Sequence, residues 1–297
     1  VPGSPAAAAV PTAPATPVAE QVTITTDVMK ATFDSQGGSL VRLELLGYRD
    51  ALDPKANVVL MDRSDKRLYV AQTGLITTQP GVALPNHLTQ MTAVPGERTL
   101  AAGAKDLSLR FESPAIDGRK LAKTYSFKRG DYTVAVKHEV INQGSTPLTP
   151  QLYLQLARDG NPPEGESSFY FTFTGPALYT EAQKFQKIDF KDIAKGNTSH
   201  EKAADSGWVA MVQHYFASAW LSPTAGAREF RSAKVAAAPG VMEHYTVAMV
   251  LPMGEVAPGA TKTHEATLFA GPQEENKLAA LAPGLELVKD YGWLTVL

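Results

Sequence analysis

The chain has no cysteine, so disulfide staples and thiolate metal sites are unavailable to it. It has no run of 18 or more apolar residues, which excludes a bilayer-spanning helix among these 297 residues. Net charge is also nearly absent. Lys and Arg number 28 against 30 Asp and Glu, a balance of −2, so no overall positive field draws nucleic acid or anionic lipid. No Gly-x-Gly-x-x-Gly, P-loop or Gly-x-Ser-x-Gly pattern occurs. The histidines lack zinc-enzyme spacing, and Asp27 to Asp34 lacks the acidic spacing and central Gly of a calcium loop. No cofactor and no metal site is therefore expected.

Large apolar side chains are scarce in residues 1 to 21, which hold five prolines and seven alanines. Such a segment buries too little surface to offset its ordering entropy, so it reads as a flexible Pro/Ala-rich linker, with the domain at 22–297. Val1 to Val18 carries no Lys or Arg and its prolines interrupt the apolar run, so it reads as neither a signal peptide nor a membrane helix.

From Val22 onward the apolar period is two. Val22 and Ile24 alternate with Thr23 and Thr25; Leu107, Leu109 and Phe111 with Ser108 and Arg110; Tyr132, Val134 and Val136 with Thr133, Ala135 and Lys137. Phe169, Phe171 and Phe173, and Tyr245, Val247 and Met249, follow the same pattern. Turn residues separate these runs, among them Gly37-Gly38, Asp117-Gly118 and Pro258-Gly259. Short alternating runs between turns predict an all-β fold, a large antiparallel sandwich. Lys128 to Asp131 predicts a hairpin turn, with Gly130 supplying the positive φ. That turn explains the Arg129-Gly130-Asp131 triplet better than a cell-adhesion ligand does. A short C-terminal α-helix is predicted over about 273–282, with Pro272 at its start, acidic residues in its first turn and Leu278 and Leu281 on one face. A helical turn is also expected within Lys191 to Lys195.

Three stretches then resemble one known family: Lys123 to Tyr132, Ser206 to Pro223 and Leu281 to Leu294. In order and spacing they are similar to the large periplasmic domain of the YidC family of membrane protein insertases of Gram-negative bacteria. The resemblance spans Gln21 to Leu297 and implies a super-sandwich of the galactose mutarotase type. It implies a domain facing the periplasm at the bacterial inner membrane, acting as a non-catalytic docking and positioning module. The implied partners are SecDF and the Sec translocon, and nascent membrane proteins through the full-length protein. Membrane attachment would come from flanking helices that this sequence does not contain.

Two other functional classes remain open. The implied fold suggests a carbohydrate-binding or sugar-epimerase-like sandwich, which needs a carboxylate and histidines converging on one oxygen. His138-Glu139 and Glu243-His244 are adjacent pairs, but neighbours on a strand point to opposite faces. The six histidines are therefore expected at the surface or at sandwich edges. A polypeptide-binding, chaperone-like module is the other alternative. Trp208 and Trp220 read as core, with Trp208, Ala210 and Val212 on one strand face. Lys184, Lys187, Lys191 and Lys195, interleaved with Phe185 and Phe190, read as a solvated edge strand that can also meet a partner or acidic headgroups. Tyr291, Trp293 and Leu294 carry the ring side chains favoured at a membrane–water boundary, and 285–297 is expected to be the membrane junction.

Overall fold

The structure is a computed structural model, and it describes residues 8–12, 20–165 and 172–289. Strands are numbered in chain order through the whole molecule. One sheet contains β1 (Gln21–Thr25), β2 (Met29–Asp34), β3 (Ser39–Arg49), β4 (Asn57–Arg63) and β5 (Leu68–Ile76). It is completed by β10 (Gln151–Arg158), β13 (Ala203–Ala204), β16 (Arg228–Val235) and β17 (His244–Pro252). The other contains β6 (Thr92–Ala93), β7 (Asp106–Glu112), β8 (Arg119–Lys128), β9 (Thr133–Asn142) and β11 (Gly175–Thr180). Its remaining strands are β12 (Lys184–Lys187), β14 (Trp208–Val212), β15 (Phe216–Leu221) and β18 (Thr261–Pro272).

Among the described residues each sheet has nine strands. The first runs β1-β2-β3-β4-β5-β10-β17-β16-β13, the second β12-β11-β14-β15-β18-β9-β8-β7-β6. The ladders between these strands are antiparallel, as alternation predicts. The β8–β9 hairpin turns where expected, with Gly130 at φ 73°.

Inward-facing residues of both sheets form one core. Leu152, Leu154 and Leu156 of β10 meet Val247 and Met249 of β17 and, across the sandwich, Leu109, Leu121 and Val136. Phe33 sits in the same core against Phe111, Tyr125 and Phe127, with ring centroids 4.5–6.1 Å apart. Burying each such side chain is worth about 1.5–3 kcal/mol, and tilted ring pairs add about 0.5–1.5 kcal/mol.

The second sheet is buried on both faces in the part formed by β11, β14, β15 and the C-terminal end of β18. Its outer face carries Ala177, Tyr179, Trp208, Ala210, Val212, Ala219 and Phe269, which pack with Leu278, Leu285 and Val288. Those last three residues come from α2 (Glu275–Leu281) and a 3-10 turn (Leu285–Val288). Trp220 lies in the inter-sheet core and Trp208 under this helical cap, so both are buried, in separate cores.

The C-terminal helix is shorter than its sequence signal. Pro272 ends β18 instead of opening the helix, and Glu274 is the N-cap without a side-chain capping bond. Leu278 is fully buried, but Leu281 is 38% exposed, because the short helix meets the sheet along one line of contact. The other helical turn is α1 (Phe190–Lys195), capped by the Asp189 side chain and ended by Gly196 in the left-handed region.

Candidate functional site

The lysine-bearing stretch forms an edge. β12 pairs with β11 and is the terminal strand of the second sheet. Lys184 and Lys187 are exposed and Phe185 is half-buried, its ring 6.1 Å from that of Trp208. The Lys184 ammonium pairs with Glu181 at 2.9 Å, and that of Lys187 sits 5.2 Å from the Phe173 ring centroid. Lys191 follows on α1, exposed, so four of the predicted residues share one border of the molecule. Tyr291, Trp293 and Leu294 lie outside the described residues, as do Phe169 and Phe171.

The helical cap continues this border. Tyr179 stacks on Trp208 at 5.7 Å, and the Trp208 indole N–H donates to the Pro283 carbonyl at 2.9 Å. Gly284 lies flat on the Tyr179 ring at φ 74°, where a Cβ would come within 2.2 Å of a ring carbon. Leu281 and Leu287 remain exposed on the cap.

The opposite face, the outer side of the first sheet, holds a cleft that sequence reasoning did not anticipate. Its volume is about 550 Å³. Val70 and Gln72 of β5, Gln155 and Ala157 of β10, Thr246 and Ala248 of β17 and Ala233 of β16 form the floor. His87 and Leu88 make one wall, and Gly240, Val241 and Met242 another. Ala9 to Thr12 close one side, with Ala8 and Val10 packed against Ile76, Tyr153 and Val250. This part of the Pro/Ala segment thus lies on the domain surface.

The charged groups in the cleft, Arg63, Lys202 and Arg231, have one sign. His87 and His244 also line the cleft, and no Asp or Glu does among the described residues. Arg63 reaches out to buried Asp34, and Arg231 pairs with Glu229 at 2.7 Å. His87 accepts or donates at Nδ1 with the Tyr153 hydroxyl at 2.6 Å, while its backbone N–H donates to the same oxygen at 3.0 Å. Burial, with lesser help from nearby Lys123 and His244, lowers the His87 imidazole to about 3, so it is neutral at physiological pH.

Beneath this wall lies a buried lysine. Lys123 of β8 is fully enclosed, and its ammonium donates to the carbonyls of Gly37 (2.5 Å) and Thr73 (2.7 Å) on the first sheet. Tyr125 donates to the Gly38 carbonyl at 2.7 Å. Gly37, at φ 73°, presses against the His87 backbone, where a Cβ would come within 2.3 Å of the carbonyl oxygen. Burial alone lowers Lys123 to about 7. His138 lies nearby, its Nε2 3.0 Å from the Thr73 hydroxyl, and burial holds it well below the usual imidazole range.

The histidine expectation therefore needs correction. His87, His138 and His200 are buried at 7%, 0% and 5% exposure, not at the surface. A neutral imidazole with a hydrogen-bond partner enters a core at modest cost, as His200 does between the Glu201 carbonyl (2.7 Å) and the Ser232 hydroxyl (2.8 Å). His138 and Glu139 do point to opposite faces, His138 inward and Glu139 out to Arg110. Among the described residues no group of three or more His, Asp or Glu is placed to hold a metal ion. The strand parity that buries Lys123 and His138 was readable: Leu121, Lys123, Tyr125 and Phe127 share one side of β8, and Val134, Val136, His138 and Val140 one side of β9.

Among solved structures, a galactose mutarotase-like protein from Lactobacillus casei aligns with 84% of this chain and 100% of its own, at TM-score 0.51 and 10% identity. That likeness shows the fold alone. A membrane protein insertase YidC from Janthinobacterium sp. is 49% identical over 292 residues, covering 98% of this chain and 50% of its own. One from Cupriavidus necator is 51% identical over 292 residues, with the same coverage. The chain spans about half the length of these curated relatives. The family carries the name of an insertase, so the mutarotase fold brings no enzyme assignment with it. The family model described as the YidC periplasmic domain matches residues 21–297, and the chain belongs to that family.

Proposed function

We propose that this domain is the docking and positioning module of an inner-membrane insertase, held on the periplasmic side. The observation that carries this reading is the family match over 21–297 in a chain spanning half of its relatives. On this reading the insertion chemistry belongs to the other half, and this half orients it. The contact face is the border formed by β12, α1 and the helical cap. There Lys184, Phe185, Lys187 and Lys191 stand beside the exposed Leu281 and Leu287, a mixture of cation and apolar surface suited to a protein partner. The partner is the Sec accessory complex SecDF, with the translocon beyond it. Tyr291, Trp293 and Leu294, outside the described residues, carry side chains suited to a lipid boundary.

The sugar-epimerase alternative finds no support in the cleft, whose described lining offers no carboxylate to act as base. In the full-length protein in native membranes, a photo-crosslinking residue at Phe185 or Lys187 is expected to form an adduct with SecDF. Adducts only with lipid, or with SecDF only from positions on β1 at the far end of the first sheet, would overturn the docking face.

A further inference from the structure

We propose that the cleft on the outer face of the first sheet receives an extended polypeptide segment of small, uncharged residues, and that Ala8–Thr12 is its built-in competitor. This goes beyond the docking reading and does not depend on it, because it concerns the opposite face of the molecule.

The chain itself shows the kind of segment that the border of the cleft holds. Ala8 and Val10 seat small apolar side chains against Ile76, Tyr153 and Val250, and the Arg231 guanidinium donates to the Ala8 backbone carbonyl. The residue before Pro11 is biased toward extended backbone, which presents alternate side chains to the floor. Beyond the seated segment the cleft remains open, at about 550 Å³, within the usual range of ligand sites. Its floor is built of small or short groups, such as Ala157, Ala233 and Ala248, which leave room for a backbone to lie close.

The polar lining selects the same ligand. Arg231, Lys202 and the amides of Gln72 and Gln155 can donate to main-chain carbonyls, which every polypeptide offers regardless of sequence. With no Asp or Glu in the described lining, a lysine- or arginine-rich segment finds no carboxylate in the cleft to pair with, and it meets Arg63, Lys202 and Arg231. A segment of alanine, valine, proline and threonine needs no such partner.

The hold on the resident segment is weak. Two small, partly buried side chains and one backbone hydrogen bond oppose the entropy of ordering it. Being tethered, however, it competes at a high effective concentration, and any incoming peptide loses apparent affinity by that factor.

The test uses the 297-residue chain and a fluorescent peptide copying residues 6–14, read by anisotropy. Val10→Asp, which puts a charge into the apolar seat, is expected to tighten peptide binding about tenfold relative to the unaltered chain. Adding Ala248→Trp, which fills the floor, is expected to abolish binding with the thermal midpoint retained; Ala157→Trp serves if the first floor variant fails to fold. A peptide with Lys in place of its valine is expected not to bind. The proposal is overturned by the absence of saturable binding to Val10→Asp, by equal affinity of the Val10→Asp and unaltered chains, or by binding that survives a folded floor variant.

Discussion

On the outer face of the second sheet, α2 and the 3-10 turn cover Trp208, Tyr179 and Phe269 and make a second hydrophobic core. On the outer face of the first sheet, loops and the Ala8–Thr12 segment stand around an open cleft instead. The residues underfoot differ accordingly. The capped face is aromatic, and an indole hydrogen bond from Trp208 ties the cap down at Pro283. The cleft face mixes Val70, Ala157 and Ala248 with Gln72, Gln155 and Thr246, side chains that tolerate water. A sheet face rich in large rings must be covered, whereas one of small and amide side chains can be left accessible.

The largest expected effect breaks the capped side. Trp208→Ala is expected to cost about 3–5 kcal/mol in chemical denaturation, through the cavity it leaves and the lost indole hydrogen bond to Pro283. A loss below about 1 kcal/mol would mean that the cap is not part of the cooperative unit.

Next comes the polar pin under the cleft. The Lys123 pKa falls from 10.5 to about 7 on folding. Between these values the unfolded chain binds a proton that the folded chain does not, so stability rises with pH across that window and is flat below it. From pH 7 to 9 the gain is about 1–3 kcal/mol. Comparing denaturation curves of the unaltered chain and Lys123→Met over that range reads the term as the difference. Parallel pH profiles would show that the ammonium is not desolvated as described.

The smallest expected change sharpens the cleft side. Tyr153→Phe removes the hydroxyl shared by the His87 ring and backbone N–H, with an expected cost of about 1–2 kcal/mol. Faster amide exchange at His87 and Leu88, with the Leu278 region unaffected, is the companion readout. Uniformly faster exchange would show instead that the two faces do not respond separately.

Much of this was legible in residues. Alternation in β7, β8 and β9 predicted the sandwich, because one face of each strand is solvated or polar; β17 is buried on both faces and alternated only because Thr246 and Ala248 stand between larger side chains. β10 was harder: Leu152 to Ala157 is buried on both faces, so its pattern carries no clean period. The edge position of β12 followed from its lysines, which discourage further pairing. The cleft was not legible at all. His87, Arg231, His244 and Ala9 are far apart in sequence, and none belongs to a motif.

Composition and periodicity, by themselves, determined an antiparallel, cysteine-free sandwich, since it depends on local alternation, and three contiguous stretches carried the resemblance to its family. Tertiary structure alone decided which rings form a second core, which carbonyls receive the buried lysine, and that one outer face stays open. Each of these depends on which distant strands become neighbours, a matter of long-range pairing that no local pattern encodes.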